Sequence, residues 1–304
     1  MEKNISSVHS TKKINKVNYS FEGTNDVTRC LSTDLVIVEQ PLQIRLSWRD
    51  GVDQIEKVFS ITMRTPGNEK ALILGLLLSE GIIQSANQIA SIYPENKTDT
   101  DTIEQDIASI ENDQNAWLVI FNQCFIPRLD SIEQFQLTYS SCGLCGTTSI
   151  KSLELKSPKL PELPDDQKAM PASMINSFNK AMRQQQILFN ETGGVHAAAL
   201  FNISGNLLYI HEDIGRHNAV DKVIGSYINE HKVVTQTLLV LMVSSRISFE
   251  IVQKALMAGV SVLIGVGAPS DLAIQGAKRF DLTIIGFASE LSFNVYHGDW
   301  RITS

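Results

Sequence analysis

The chain has 304 residues, 43% of them hydrophobic, and a net charge of −7 at neutral pH. Its length suffices for one large or two medium domains with a real core, and its surplus of acid argues against generic nucleic-acid binding by bulk electrostatics. No apolar run reaches the roughly 18–20 residues of a membrane helix, the N-terminus lacks the apolar stretch of a secretory signal, and four cysteines fit a reducing compartment, so a cytoplasmic protein is expected.

Residues 1–33 are polar and aperiodic and read as a disordered or loosely attached polar tail. Order is expected from Leu35 onward, where β-type alternation runs to Trp48 around Pro41. Val58–Met63 alternates as its partner, across a turn at Asp50-Gly51. Thr65-Pro66-Gly67 then opens a helix that Gly81 ends. This helix is apolar nearly all round, which implies burial between layers. Arg64, just ahead of it, reads as the partner of an acid. Residues 94–115 hold seven acidic residues and one lysine, the composition of a solvated insertion. Trp117–Phe121 reads as a strand, and Phe135–Tyr139 leads into a loop with two cysteines.

That loop is Tyr139-Ser-Ser-Cys-Gly-Leu-Cys-Gly-Thr-Thr-Ser-Ile150. Gly143 and Gly146 follow Cys142 and Cys145 and work against a helix. The composition is that of an open, flexible segment carrying two thiols. A zinc half-site would need two further ligands, yet Cys30 and Cys124 are isolated. A thioredoxin-type pair would place its first cysteine at a helix N-terminus, against which the glycines speak. An idle thiol pair and a sulfur relay compete with these two. In a relay one cysteine carries an extra sulfur as a persulfide and the other helps release it by thiol exchange.

Residues 154–172 hold four prolines and read as a linker between an N-terminal α+β domain, 34–153, and a second domain, 173–304. Met174–Leu188 has helical spacing. Val195–Phe201 and Asn206–Ile210 flank Ser204-Gly205 as a hairpin. Helices at about 215–229, 247–258 and 270–278 then alternate with strands at 238–243, 261–266 and 282–285. A hairpin followed by βαβ units is a mixed sheet in an α/β sandwich, with its parallel strands covered on both faces.

Ligands of such sheets bind beyond the C-terminal strand ends. The junctions there are Glu212-Asp-Ile-Gly-Arg-His-Asn218, Ser244-Ser-Arg-Ile-Ser248 and Gly265-Val-Gly-Ala-Pro-Ser-Asp271. Cations in two and hydroxyl- or glycine-rich turns in two make a cradle for phosphate oxygens. Asp213 or Asn218 can cap the following helix. His196 and His217 read as structural histidines, and Asp221 and Lys222 as solvated helix residues. No GxGxxG or P-loop pattern occurs.

The sequence resembles the formate dehydrogenase accessory sulfur-carrier family. The resemblance rests on Arg64-Thr-Pro-Gly with Leu-Leu-Ser-Glu-Gly81, Ser-Ser-Cys142-Gly-Leu-Cys145-Gly, Thr-Gly-Gly-Val-His196-Ala-Ala, Glu212–Lys222, Ser-Ser-Arg246-Ile-Ser-Phe-Glu and Phe293-Asn-Val-Tyr296. These stretches span residues 35–300 in family order. The resemblance implies a sulfurtransferase. Sulfur would come from a cysteine desulfurase and pass to molybdenum bound by two molybdopterin guanine dinucleotides, for formate dehydrogenase. It implies Cys142 as the persulfide carrier, Cys145 as its assistant, a cytoplasmic homodimer, a cytidine-deaminase-like C-terminal domain and no permanently held cofactor. The guanine-dinucleotide contact falls on Phe287, Ala288, Ser289, Glu290, Leu291 and Ser292, with Ser245 and Arg246 at a neighbouring junction. Where the family carries a basic residue, this chain has Ser289 and Glu290. Two rivals are a cofactor-binding chaperone without sulfur transfer and a zinc deaminase. The latter needs H-x-E and P-C-x-x-C signatures, and no cysteine follows Cys145.

Overall fold

The computed structural model describes residues 10–22, 26–95, 115–128, 169–232 and 238–304. The cysteine loop, the 135–139 stretch leading into it, most of the acidic insertion and most of the 154–172 linker lie outside them.

The expected polar tail is corrected. Strands β1 (Thr11–Glu22) and β2 (Asp26–Ile37) form an antiparallel hairpin. Its register sets Phe21 opposite Val27 and Val17 opposite Leu31. Directly opposed residues share a face, so Val17, Tyr19, Phe21, Val27, Leu31 and Leu35 lie on one side. The other side is polar, with Lys16 2.6 Å from Asp34. The period-two pattern was present in the sequence but diluted by lysine, asparagine and serine. The hairpin base is tied down where Ser10 Oγ donates to the Pro66 carbonyl at 2.9 Å.

Strands β3 (Gln40–Asp50), β4 (Asp53–Arg64), β5 (Ile89–Pro94) and β6 (Ala116–Phe121) form a sheet in the order β4-β3-β6-β5. Gly51, at φ 64°, makes the expected turn between β3 and β4. Leu42, Ile44, Leu46 and Trp48 face the core. Helix α1 (Glu69–Ser79) runs between Asn68 and Gly81, both left-handed. Leu72, Ile73, Leu74, Leu77 and Leu78 are all buried, because the helix is covered on one side by this sheet and on the other by the C-terminal half.

That half begins with β7 (Met170–Pro171), α2 (Ala172–Gln184) and α3 (Ile187–Thr192). The hairpin of β8 (His196–Asn202) and β9 (Leu207–Asp213) follows, then α4 (Arg216–His231). Strand β10 (Leu239–Val243), α5 (Phe249–Met257), β11 (Val262–Gly265), α6 (Asp271–Arg279) and β12 (Thr283–Gly286) alternate after it. Strands β13 (Asn294–His297) and β14 (Ile302–Thr303) close the chain. The sheet order is β13-β12-β11-β10-β8-β9. Strands β10, β11 and β12 are parallel, while β8, β9 and β13 join antiparallel. This is the mixed sheet expected from the alternation. One face packs Ala199, Phe201, Met242 and Ile264 with Ile175, Phe178 and Met182 of α2. The other packs Leu200, Leu241 and Leu263 with Val220, Ile251 and Ala273 of the helices. This second core runs on without a break into α1 and the four-stranded sheet, so the two halves differ in sheet but not in core.

The closest approach is between α1 and α4. A Cβ built on Gly75 would lie 1.9 Å from the Asp221 carbonyl oxygen, and one on Gly225 1.8 Å from that of Ala71. Backbone cannot yield as a side-chain tip can, so Gly225→Ala is expected to cost about 3 kcal/mol or more in urea unfolding.

A second expectation concerns pH. His211 of β9 lies 2.7 Å from Ser226 Oγ of α4. Burial, with Lys222 nearby, lowers its pKa to about 4 from 6.5. Between these values the unfolded chain binds a proton that the folded chain does not. The associated stability is therefore full above the unfolded value and is lost as pH falls towards the folded one, by at most about 3 kcal/mol. Denaturation across this range should show that slope, and His211→Gln should remove it.

Candidate functional site

Three junctions stack at the C-terminal edge of the parallel strands: those after β10 and β11 lead into helices and the one after β12 leads into β13. Gly267 N donates to Ser245 O at 3.1 Å, Phe287 N to Gly267 O at 3.2 Å and Ala288 N to Gly265 O at 3.1 Å. Glycine permits the approach: a Cβ on Gly267 would sit 2.9 Å from the Arg246 backbone nitrogen, and one on Gly286 2.7 Å from Pro269 Cδ. The structure thus places Ser245, Arg246 and the 287–292 turn on one edge.

Within that turn Phe287 holds a left-handed φ of 54°, which is uncommon for a bulky residue. Ser289 Oγ accepts from Leu291 N and Ser292 N and donates to Ser292 O, at 3.3, 3.1 and 3.0 Å. Ala288 is buried and Leu291 is 97% exposed. Helix α2 grips the turn from below. Asn176 Nδ2 donates to Glu290 O at 2.8 Å and Asn179 Nδ2 to Ala288 O at 3.2 Å. The side chain of Ser245 is turned inward, donating to Arg246 O at 2.9 Å, whereas Arg246 is exposed.

Beside these turns lies a cavity of about 520 Å³. Asn179, Arg183, Gln186, His196 and Ser244 supply its polar side chains, and Gly193-Gly194 part of its wall. Burial, with Arg216 and His217 nearby, lowers the His196 pKa below the ordinary value, so the imidazole is neutral at pH 7. Arg183 and Gln186 were missed by sequence reasoning. They come from the α2–α3 stretch before the sheet, where no junction pattern marks them.

The Glu212–Lys222 stretch plays a different part from the one expected. Neither Asp213 nor Asn218 caps α4. Asp213 Oδ2 lies 2.7 Å from Lys222 Nζ and accepts from Thr65 N at 3.1 Å, while its Oδ1 accepts from Gly215 N at 2.9 Å and Asn218 Nδ2 at 3.2 Å. Lys222 also donates to Thr65 O at 2.9 Å, and Thr65 Oγ1 accepts from Ile214 N at 3.0 Å. Asp221 and Lys222 are each 1% exposed, which corrects the solvated reading. Asp221 binds Lys254 of α5 at 2.8 Å and Ser79 of α1 at 2.9 Å. Their burial follows from α1 covering this face of α4. His217 sits 2.8 Å from Glu250, whose carboxyl it holds below the usual range. Arg64 pairs with Glu69 at 3.2 Å, as expected. Cys142 and Cys145 lie outside the described residues.

Among the described residues no group of three or more His, Cys, Asp or Glu side chains is arranged to hold a metal ion, and no helix is long and apolar enough to cross a membrane. The model of the FdhD/NarQ family matches residues 37–303. The sulfur carrier protein FdhD of Saccharolobus solfataricus is 38% identical over 270 residues, covering 89% of this chain and 91% of that protein. Its namesake in Corynebacterium efficiens is 37% identical over 276 residues, covering 88% and 90%. A solved structure described as a formate dehydrogenase accessory protein, from Desulfotalea psychrophila, superposes with a TM-score of 0.67 at 23% identity, covering 96% of this chain and 99% of that one. This last likeness is one of fold.

The ion pair under the site can be tested directly. Lys222→Met leaves the Asp213 carboxylate buried without its cation and is expected to cost about 3–5 kcal/mol. Adding Asp213→Asn should recover a large part of that loss in urea unfolding.

Proposed function

Because the chain belongs to the FdhD/NarQ family, we propose that it is a sulfur carrier that readies the molybdenum cofactor of formate dehydrogenase. Cys142 thiolate attacks the outer sulfur of a cysteine desulfurase persulfide. The donor's S–S bond breaks, the donor leaves as a thiolate, and Cys142 holds the sulfur as a persulfide. The acceptor is molybdenum bound by two molybdopterin guanine dinucleotides, taken up as substrate. Its release step uses Cys145, whose thiolate attacks Cys142 Sγ. That forms a Cys142–Cys145 disulfide and frees the outer sulfur as sulfide. A dithiol reductant then restores both thiols.

The observation that carries the docking half of this reading is the stack of turns at 244–247, 265–270 and 286–292 beside the cavity. It offers backbone, hydroxyl groups and Arg246 on one edge, a surface suited to phosphate oxygens and a base. In place of the basic residue noted above, the 287–292 turn offers the exposed Phe287 and a hydroxyl-closed loop. The hairpin followed by alternating helices and strands supports the likeness to the cytidine deaminase fold. Cytoplasmic location and a homodimer belong to the same reading.

The test is intact mass after incubation with a cysteine desulfurase and cysteine. Wild type should gain one sulfur atom, removable by dithiothreitol, and Cys142→Ala should gain none. An equal gain in Cys142→Ala removes that cysteine from the carrier role. Full maturation of the dehydrogenase by Cys142→Ser would leave a cofactor-binding chaperone.

A further inference from the structure

We propose that Arg183 is the phosphate-binding cation of this site and grips the diphosphate of the guanine dinucleotide; the assignment rests on the docking reading above and deepens it. Asn179 and Arg183 are four residues apart on α2, hence neighbours on one helix face. Asn179 is fastened to Ala288 O at 3.2 Å, and both residues line the cavity. One helix face therefore joins the 287–292 turn to the space beside it.

The state of the guanidinium points to a ligand. Its carbon lies 4.3 Å from the centre of the Phe189 ring. Among the described residues its hydrogen bond is a long one, to Gln186 Oε1 at 3.5 Å. No carboxylate among the described residues pairs with it. Stacking fixes the plane of the group but leaves most of its N–H donors unused, the arrangement that suits two parallel bonds to an oxyanion. Arg183 is exposed, so its unused donors meet water and are open to an incoming anion without first breaking an ion pair.

Charge decides the class of ligand. Of the residues lining the cavity, Arg183 alone carries a formal charge once His196 is neutral. The protein as a whole is acidic, at −7, so long-range attraction will not hold an anion here. A diphosphate must be met locally, and Arg183 is the group placed to meet it. The cavity, at about 520 Å³, falls within the range of small-molecule sites, roughly 300–1,000 Å³. Gly193 adds to the room, since a Cβ there would meet nothing within 4 Å.

Calorimetric titration of the full chain with GDP, and with guanosine as the phosphate-free probe, tests this. Wild type should bind GDP. Arg183→Gln should weaken GDP by about tenfold or more, and Arg183→Lys, which keeps charge but loses the fork, by less. Guanosine should bind wild type and Arg183→Gln alike. If wild type fails to bind GDP, the docking reading falls and takes the assignment with it. If wild type and Arg183→Gln bind GDP equally, the docking reading stands and Arg183 is not its phosphate ligand. If Arg183→Gln loses GDP and guanosine in the same proportion, Arg183 shapes the cavity wall and the assignment is overturned. An unchanged melting temperature in Arg183→Gln confines the effect to binding.

Discussion

A single buried carboxylate carries the geometry of the site. Asp213 ends β9 with no exposed surface, where an unpaired charge would be far too costly to keep. Its oxygens are met by Lys222 from α4, by the Thr65 amide beyond β4, and by Gly215 and Asn218 at the start of α4. These groups come from three parts of the chain, so the carboxylate acts as the knot between the four-stranded sheet, the β8–β9 hairpin and α4. His196 is the ladder partner of Asp213. The histidine at the cavity rim is thus placed by the same knot. So are Arg216 and His217, which open the helix that Asp213 steadies.

The edge of stacked turns that the knot borders is rigid for a different reason. Its turns are held by main-chain hydrogen bonds across neighbouring junctions, at spacings that only glycine allows at 265, 267 and 286. A surface of this kind is already in its binding shape, so a ligand loses little free energy in ordering it. The left-handed Phe287 fits that view: a strained backbone persists where its surroundings dictate it.

Much of the fold was legible because its signals are local. The β8–β9 hairpin, the three parallel strands and their helices followed from apolar runs and punctuation, and α1 from the apolar run Ala71–Leu78 between Gly67 and Gly81. The β1–β2 hairpin was not, because its alternation is diluted and its apolar side packs on little else among the described residues. The roles of Asp221 and Lys222 were hidden because burial on α4 depends on α1, which lies well over a hundred residues away. Arg183 was hidden for a similar reason. A helical arginine looks like any surface cation until the cavity it lines has been assembled. Ser245 and Arg246 could be placed in advance, since position beyond a parallel strand is itself a sequence signal, whereas the 287–292 turn was marked only by the family resemblance.

Where the acidic stretch leaves the four-stranded sheet, the chain makes a clasp. Glu95 N donates to Ala116 O at 2.8 Å, and the Glu95 carboxylate reaches Arg45 at 2.9 Å. Exit and return are thus adjacent on β5 and β6. Extra residues inserted between them add only the slowly growing cost of closing a longer loop, about 0.6 kcal/mol per doubling. A change in the length of 96–114 should therefore cost the four-stranded sheet little.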